Sequence, residues 1–315
     1  MKQSIVLGQT APRQKKPRLL RELAKNKYIY LMLVPVVLFY IIFMYGPMYG
    51  AIIAFKDFSP KLGIWGSSWV GLKHFKAFFS SIYFLRLLRN TISISVQTLV
   101  FGFPAPIILA LLLNEVRQSW FKKTVQTISY MPHFISLVVV CGIIKIFTGS
   151  EGIINDILAH FGQERRDLLL DPGLFQPIYV ISDIWQKIGW ESIIYLAALS
   201  GVDQELYEAA RIDGAGKWRQ LFSVTLPCIT PTIVIMLILR VGSMMNIGFE
   251  KIILLYNGNT YETADVISSY VYRKGIQEFS YSFSTAVGLF NSIINFFLVL
   301  GANTISRKVN ETSLW

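Results

Sequence analysis

Apolar residues in this chain are gathered into long runs between short polar stretches, instead of alternating with polar neighbours as in half-buried strands. A helix crosses the hydrocarbon core of a membrane with about 20 mainly apolar residues. Segments 28–50, 90–113, 130–149, 175–200, 228–250 and 283–305 meet that yardstick. They predict an all-α integral membrane protein with about six transmembrane helices. The first run, Tyr28 to Tyr45, outlasts the apolar core of a secretory signal, and no small-residue cleavage site follows it. It reads as a retained span.

An even number of crossings returns both termini to one side. The loops 114–129 and 202–227 then lie with the N-terminal segment and share its basic character through Arg117, Lys122, Lys123, Arg211, Lys217 and Arg219. The N-terminal segment itself carries Lys2, Arg13, Lys15, Lys16, Arg18, Arg21, Lys25 and Lys27. By the positive-inside rule this side is the cytoplasm. The opposite loop 150–174 is mixed, with Glu151, Asp156, Glu164, Asp167 and Asp171 beside Arg165 and Arg166. The long loop 51–86 breaks the pattern with Lys56, Lys61, Lys73 and Lys76, and holds Trp65, Trp69, Phe75, Phe78 and Phe79. Those aromatics suit either interfacial anchoring or docking. The organisation expected is a basic cytoplasmic segment 1–27, a transmembrane unit 28–306 with the loop 202–227 inside it, and a cytoplasmic tail 307–315.

Composition agrees, with 53% hydrophobic and 16% charged residues, where soluble domains carry about 25% charged. The net charge of +11 is accounted for by topology, so nucleic acid is not an expected partner. Cys141 and Cys228 lie in apolar runs without a disulfide framework or zinc spacing. His74, His133 and His160 are far apart, and no HExxH or GxSxG occurs. No catalytic residue and no metal ligand is expected.

The loop before the fifth run reads GVDQELYEAARIDGAGKWRQLFSVTLP. Asp203 is placed to cap a short helix through Leu206, Ala209 and Ala210. Gly214 and Gly216 supply a turn, and Trp218, Leu221, Phe222 and Thr225 repeat at helical spacing until Pro227 opens the next span. Two short helices around a glycine corner also describe a DNA-reading helix-turn-helix, a reading that tethering to the bilayer at both ends weakens.

Glu208-Ala209-Ala210, Asp213-Gly214-Ala215 and Leu226-Pro227 resemble, in kind, spacing and placement, the EAA loop of ABC importer permeases. The resemblance extends through ALLLNEVR at 110–117, YMPHFIS at 130–136, GWESIIYLAALSGVD at 189–203 and GFEKIILLYN at 248–257, and it is to the carbohydrate-import branch. It implies a type I importer permease architecture in a bacterial plasma membrane. It also implies that Glu208, Ala209, Ala210, Asp213, Gly214, Ala215, Leu226 and Pro227 dock a separate ATPase. The partners it implies are a second, similar permease, two nucleotide-binding subunits that hold ATP and Mg, an extracytoplasmic solute-binding protein and the membrane lipid. The chain itself has no GxxxxGK[ST] run and is expected to bind no cofactor.

A charge at membrane depth costs about 2.5–3.5 kcal/mol on insertion scales, so each needs a partner or a watery path. Asp183, Lys187 and Glu191 are spaced four apart on one helical face, where the lysine reaches either carboxylate. Arg240 lies inside IVIMLILRVGSMM on a face continuing through Ser243 and Ile247 to Glu250. It suits either a carboxylate partner in the fourth span or an acidic or hydroxyl-rich substrate. Ser284, Gly288, Asn291 and Asn295 form a polar stripe that suits helix–helix contact or substrate. Trp185, Trp190, Tyr179 and Tyr195 offer aromatic faces to sugar rings. The pathway candidates are Trp185, Trp190, Tyr195, Arg240, Asn291 and Asn295. Arg240 and Lys145 suit an acidic oligosaccharide, although Lys145 is placed to snorkel to the interface.

Rival classes remain on sequence alone. Buried charges fit an ion-coupled carrier, Asp183 with Glu191 fits a carboxylate pair in a membrane-embedded enzyme, and a sensor could use the same fold. The carrier leaves the EAA loop unexplained, the enzyme has Lys187 between its carboxylates and no nucleophile or metal motif, and transport data separate the sensor.

Overall fold

The computed structural model describes residues 26–310, so most of the predicted basic segment 1–27 and the tail beyond 310 lie outside the described residues. The chain divides into two compact units at Ile52 and Ile53. Among the described residues, five helical runs are long and apolar enough to cross a membrane: Lys27–Phe55, Phe84–Glu115, Leu137–His160, Lys217–Gly242 and Tyr281–Lys308. The predicted run 175–200 is also one helix, Pro172–Ser200, of sufficient length. Its charged residues set it apart from the other five.

In the first unit, α1 (Lys27–Phe39) passes through Pro35 and continues as wider helical turns over Tyr40–Tyr45. The second unit opens on a small hairpin, β1 (Lys56–Asp57) antiparallel to β2 (Ser68–Trp69), with Lys56 opposite Trp69. Phe55 stacks on Trp69, and the Lys73 ammonium 2.9 Å from Asp57 holds that carboxyl below its ordinary pKa. The helices that follow are α2 (Lys73–Phe79), α3 (Phe84–Gln97), α4 (Pro104–Glu115), α5 (Ser119–Tyr130), α6 (Leu137–Thr148), α7 (Ile153–His160) and α8 (Pro172–Ser200). After them come α9 (Gln204–Ile212), α10 (Lys217–Gln220), α11 (Leu226–Gly242), α12 (Phe249–Leu255), α13 (Ile267–Tyr272) and α14 (Tyr281–Asn310).

Helix α8 is the axis of the second unit. Asp171 caps it by accepting from the Gly173 N–H at 2.8 Å, and Pro172 occupies its first turn, where a missing N–H costs nothing. It packs along α4 and α5. At Gly189 a Cβ would stand 2.1 Å from the Ser129 carbonyl oxygen, so only glycine lets α5 come this close. Two buried clusters include its side chains, one through Phe175, Tyr179 and Val180 and the other of Ala110, Tyr195, Leu199, Val202 and Ile229 near the α8–α9 corner.

Two boundaries of the fifth span differ from the sequence expectation, and the third span, expected from 130, starts at Leu137 after a tight turn at Met131–Phe134. The fifth span was expected to begin at Pro227 after a separate short helix, whereas α10 runs through wider turns at Leu221–Thr225 into α11 without a break. The wider turns absorb Pro227, which has no N–H to continue a regular ladder. The same span was expected to reach 250, yet it stops at Gly242, and residues 243–248 leave the helix before α12. The face from Arg240 to Glu250 is therefore not continuous.

Non-helical backbone in a membrane protein needs substitute partners, and α14 supplies them. Asn295 Oδ1 accepts from the Met245 N–H at 3.0 Å, and Asn291 Nδ2 donates to the Met245 carbonyl at 3.3 Å. Both amides also donate to Asn246 Oδ1 at 2.9 Å. Ser95 donates to the Met244 carbonyl, and Ser268 to that of Ile247 at 2.6 Å. Removing such a partner from a buried polar group costs about 1–3 kcal/mol. Asn295→Ala is expected to lower the thermal midpoint of the detergent-solubilised protein accordingly, while Ile293→Ala on the exposed face leaves it nearly unchanged. Equal midpoints for the two variants would contradict this account of the break.

Candidate functional site

Two regions carry the predicted site residues, and α8 and α11 run from one to the other. The first is the loop between those helices. Asp203 caps α9 by accepting from the Glu205 N–H at 3.0 Å, as its spacing predicted. Gly214 sits at φ +75°, a left-handed conformation that glycine adopts without strain, and ends the helix. The Ala215 N–H reaches back to the Ala210 carbonyl at 2.8 Å, and the Gln220 amide donates to the Ala215 carbonyl at 2.7 Å. Tyr207 and Thr225 share a hydroxyl hydrogen bond of 2.9 Å, and Lys217 meets Glu115 at the end of α4 at 2.6 Å. The corner is thus braced from below.

Its outer side is bare. No residue of α9 is buried, and Glu208, Ala209, Asp213 and Gly214 are exposed. Ile212 is 88% exposed, and Trp218 and Phe222 also stand outside. Periodicity had grouped Trp218, Leu221, Phe222 and Thr225 as one face, but only Thr225 of the four is buried. Ala215 and Leu226 are half-buried and link this surface to the bundle, with Pro227 exposed beside them. An exposed amphipathic helix on a fixed corner is fit to enter a groove on another protein.

The second region is a charge cluster. Lys187 binds Asp183 at 2.8 Å, so of the two carboxylates within its reach it takes the earlier one. Lys251, from α12, stands 3.7 Å from the same carboxylate, donates to the Tyr179 carbonyl at 3.2 Å and lies 4.6 Å over the Tyr179 ring. Arg240 faces both acids, at 4.0 Å from Asp183 and 3.9 Å from Glu191. These distances exceed hydrogen-bond reach and leave its N–H fork unengaged by either acid. Arg240, Asp183, Lys187 and Tyr179 line a cavity of about 90 Å³ together with Ser95 and Asn246. At about 30 Å³ per water it has room for a few waters and not for a sugar ring.

Of the six pathway candidates, Arg240 alone lines this cavity. Asn291 and Asn295 stand behind it and hold Asn246 in its wall. Trp185 faces a separate, mainly apolar cavity of about 880 Å³ between α6, α7 and α8. Trp190 stacks on His133 with ring centres 4.5 Å apart, and Tyr195 is buried beside Ala110 and Ile229. Sequence reasoning missed Lys251. Its signal was a lysine within the apolar stretch FEKIILL.

A bundle of apolar helices with an exposed loop helix at one end and partnered charges in its interior defines a polytopic membrane protein. Comparison with known proteins agrees. Residues 102–311 match the family described as "Binding-protein-dependent transport system inner membrane component". The chain belongs to this family. It is 47% identical to Protein LplB of Bacillus subtilis (strain 168) over 93% of this chain and 92% of that protein. It is 45% identical to the polygalacturonan/rhamnogalacturonan transport system permease protein YteP of the same organism, over 96% and 95% of the two chains. Among solved structures, a bacterial alginate ABC transporter in complex with an alginate pentasaccharide-bound periplasmic protein has a chain 43% identical to this one. The TM-score is 0.87, covering 95% of this chain and all of that one.

The chain is therefore a multi-pass inner-membrane permease subunit that works with a solute-binding protein. The readings as a membrane-embedded enzyme and as an ion-coupled carrier give way to this membership.

Breaking a buried ion pair by removing one partner costs about 3–5 kcal/mol, because the other charge stays behind. Asp183→Asn is expected to destabilise the solubilised protein on that scale, and adding Lys251→Met to recover part of the loss. A double-mutant cycle read by thermal unfolding checks this. Strictly additive effects would contradict the shared-carboxylate arrangement.

Proposed function

We propose that this chain is the permease subunit of an ATP-driven importer that carries an acidic oligosaccharide into the cytoplasm. The observation that carries the reading is the exposed helix α9 on its fixed glycine corner, with Glu208, Ala209, Ala210, Asp213 and Gly214 as the residues that enter a groove on the ATPase. Ala209, Ala210 and Gly214 permit close approach, while the two carboxylates fix register against a basic groove. The loop end of the bundle is the cytoplasmic end, and the opposite end faces the solute-binding protein. A second, similar permease completes the pathway. Two nucleotide-binding subunits hold ATP and Mg.

Acidic cargo is favoured by charge. Three cations, Lys187, Lys251 and Arg240, face two carboxylates, Asp183 and Glu191, and the unengaged guanidinium is on the cavity wall. A net positive site in a low-dielectric interior attracts an anion. The relatives named for polygalacturonan/rhamnogalacturonan and for alginate transport point the same way. When the ATPases close, the paired coupling helices move together and carry α8 and α11 as rigid bodies, so that Asp183 and Glu191 part from Arg240 and the cavity opens.

In proteoliposomes of the assembled transporter, Gly214→Asp and Glu208→Lys are each expected to cut ATP-driven uptake by about tenfold or more. The chain should stay inserted while the ATPase subunits dissociate or hydrolyse ATP without transport. Undiminished uptake by both variants would remove the coupling assignment.

A further inference from the structure

At the end of the bundle opposite the coupling loop lies a further cavity, of about 380 Å³, within the range of about 300–1,000 Å³ usual for small-ligand sites. Its place follows from α3 and α4. Glu115, at the end of α4, meets Lys217 in the coupling loop, whereas Tyr83 and Arg86, at the start of α3, line this cavity. The remaining wall comes from Tyr261, Asp265, Tyr270, Arg273, Lys274 and Glu278, in the segment before α14.

Most charges here are already matched. Asp265 is fully buried and receives Arg273 at 2.6 and 3.3 Å and the Ser269 hydroxyl at 2.8 Å. Burial disfavours the Arg273 charge, but its bonds to Asp265 more than compensate, and its pKa is raised. Lys274 pairs with Glu278 at 2.5 Å. Arg86 is the exception. Its nearest acid oxygen, on Asp265, is 3.6 Å away, and its Nε is buried without a partner. Arg273 and Ser269 hold Asp265 within hydrogen-bond distance, so Arg86 shares that carboxylate only as a longer ion pair.

The guanidinium lies 5.0 Å from the Tyr83 ring centre, and Tyr83 and Tyr261 are each more than a third exposed. A planar cation that no acid holds within hydrogen-bond distance, beside two part-exposed tyrosines of which Tyr261 also carries Arg273 at 5.3 Å from its ring centre, matches two features of one ligand class: a carboxylate for the fork and a pyranose C–H face for the rings. Ser95, in the wall of the charged cavity, is nine residues beyond Arg86, about 13 Å along the same helix.

We propose that this cavity is an outer subsite that receives a uronic acid residue of the incoming oligosaccharide, its carboxylate on Arg86 and its ring against Tyr83 and Tyr261. The proposal rests on the acidic-oligosaccharide reading above and adds a second station outside the charged cavity. A carboxylate could also reach Arg86 from an acidic side chain of the solute-binding protein. The concave, tyrosine-lined shape favours the sugar.

The test is half-saturation of ATP-driven uptake in proteoliposomes, with trigalacturonate and its fully methyl-esterified form as probes. The variants are Arg86→Gln, Arg86→Lys and Tyr261→Ala, each checked for assembly. Arg86→Gln is expected to raise the half-saturating trigalacturonate concentration by about tenfold with little change in maximal rate, as for loss of a charge-assisted bond. Arg86→Lys should restore part of that loss. Tyr261→Ala should weaken both sugars.

Unchanged half-saturation in Arg86→Gln and Tyr261→Ala, or equal loss for acid and ester in Arg86→Gln, would overturn the subsite while leaving the function reading intact. Weakened binding of the empty solute-binding protein to Arg86→Gln would also overturn it, in favour of a docking carboxylate. Failure of the wild type to prefer trigalacturonate would remove the acidic-cargo reading, and this subsite with it.

Discussion

One buried carboxylate organises the interior of the bundle. Asp183 stands among Lys187, Lys251 and Arg240, so α8, α12 and α11 are held to a common point by charges that no lipid could satisfy. The cost of charge at membrane depth explains why each cation is paired or faces a small watery cavity. It also explains why α11 can stop at Gly242. The break brings Lys251 back toward Asp183, and Asn291 and Asn295 supply the hydrogen bonds that the broken helix gives up.

The same arrangement joins the two ends of the protein. Helix α8 carries two of the cluster's acids and ends in the corner where α9 begins, while α10 leads from that corner into α11 and Arg240. Glu115 and Tyr207 brace the corner against α4 and the start of α11. The α9 corner is thereby connected through α8 and α11 to Arg240 and its two acids, whose contacts are long, at 3.9 and 4.0 Å.

Much of this was legible in the sequence. The apolar runs placed five membrane-length helices and α8, Asp203 marked a cap, and Gly214 marked a turn, which the structure makes left-handed. Spacing by four found the Asp183–Lys187 pair. Other features were not legible because they depend on contacts distant in sequence. The end of α11 at Gly242 lies inside an apolar stretch and is decided by amides about fifty residues later on α14. Trp190 and Tyr195 resembled sugar platforms in composition; Trp190 stacks on His133 while part of its surface stays exposed, and Tyr195 is held in core packing. Lys251 looked like part of an ordinary apolar segment until the chain reversal placed it against Asp183.

The central claim is that ATP hydrolysis outside this chain drives an anionic saccharide past the Asp183–Arg240 cluster. The most direct measurement is accumulation of labelled trigalacturonate in proteoliposomes holding the assembled transporter and its solute-binding protein, with and without ATP, against its methyl ester as competitor. The account predicts ATP-dependent accumulation of the acid that the ester does not suppress. Equal handling of acid and ester, or accumulation that persists without ATP, would contradict it.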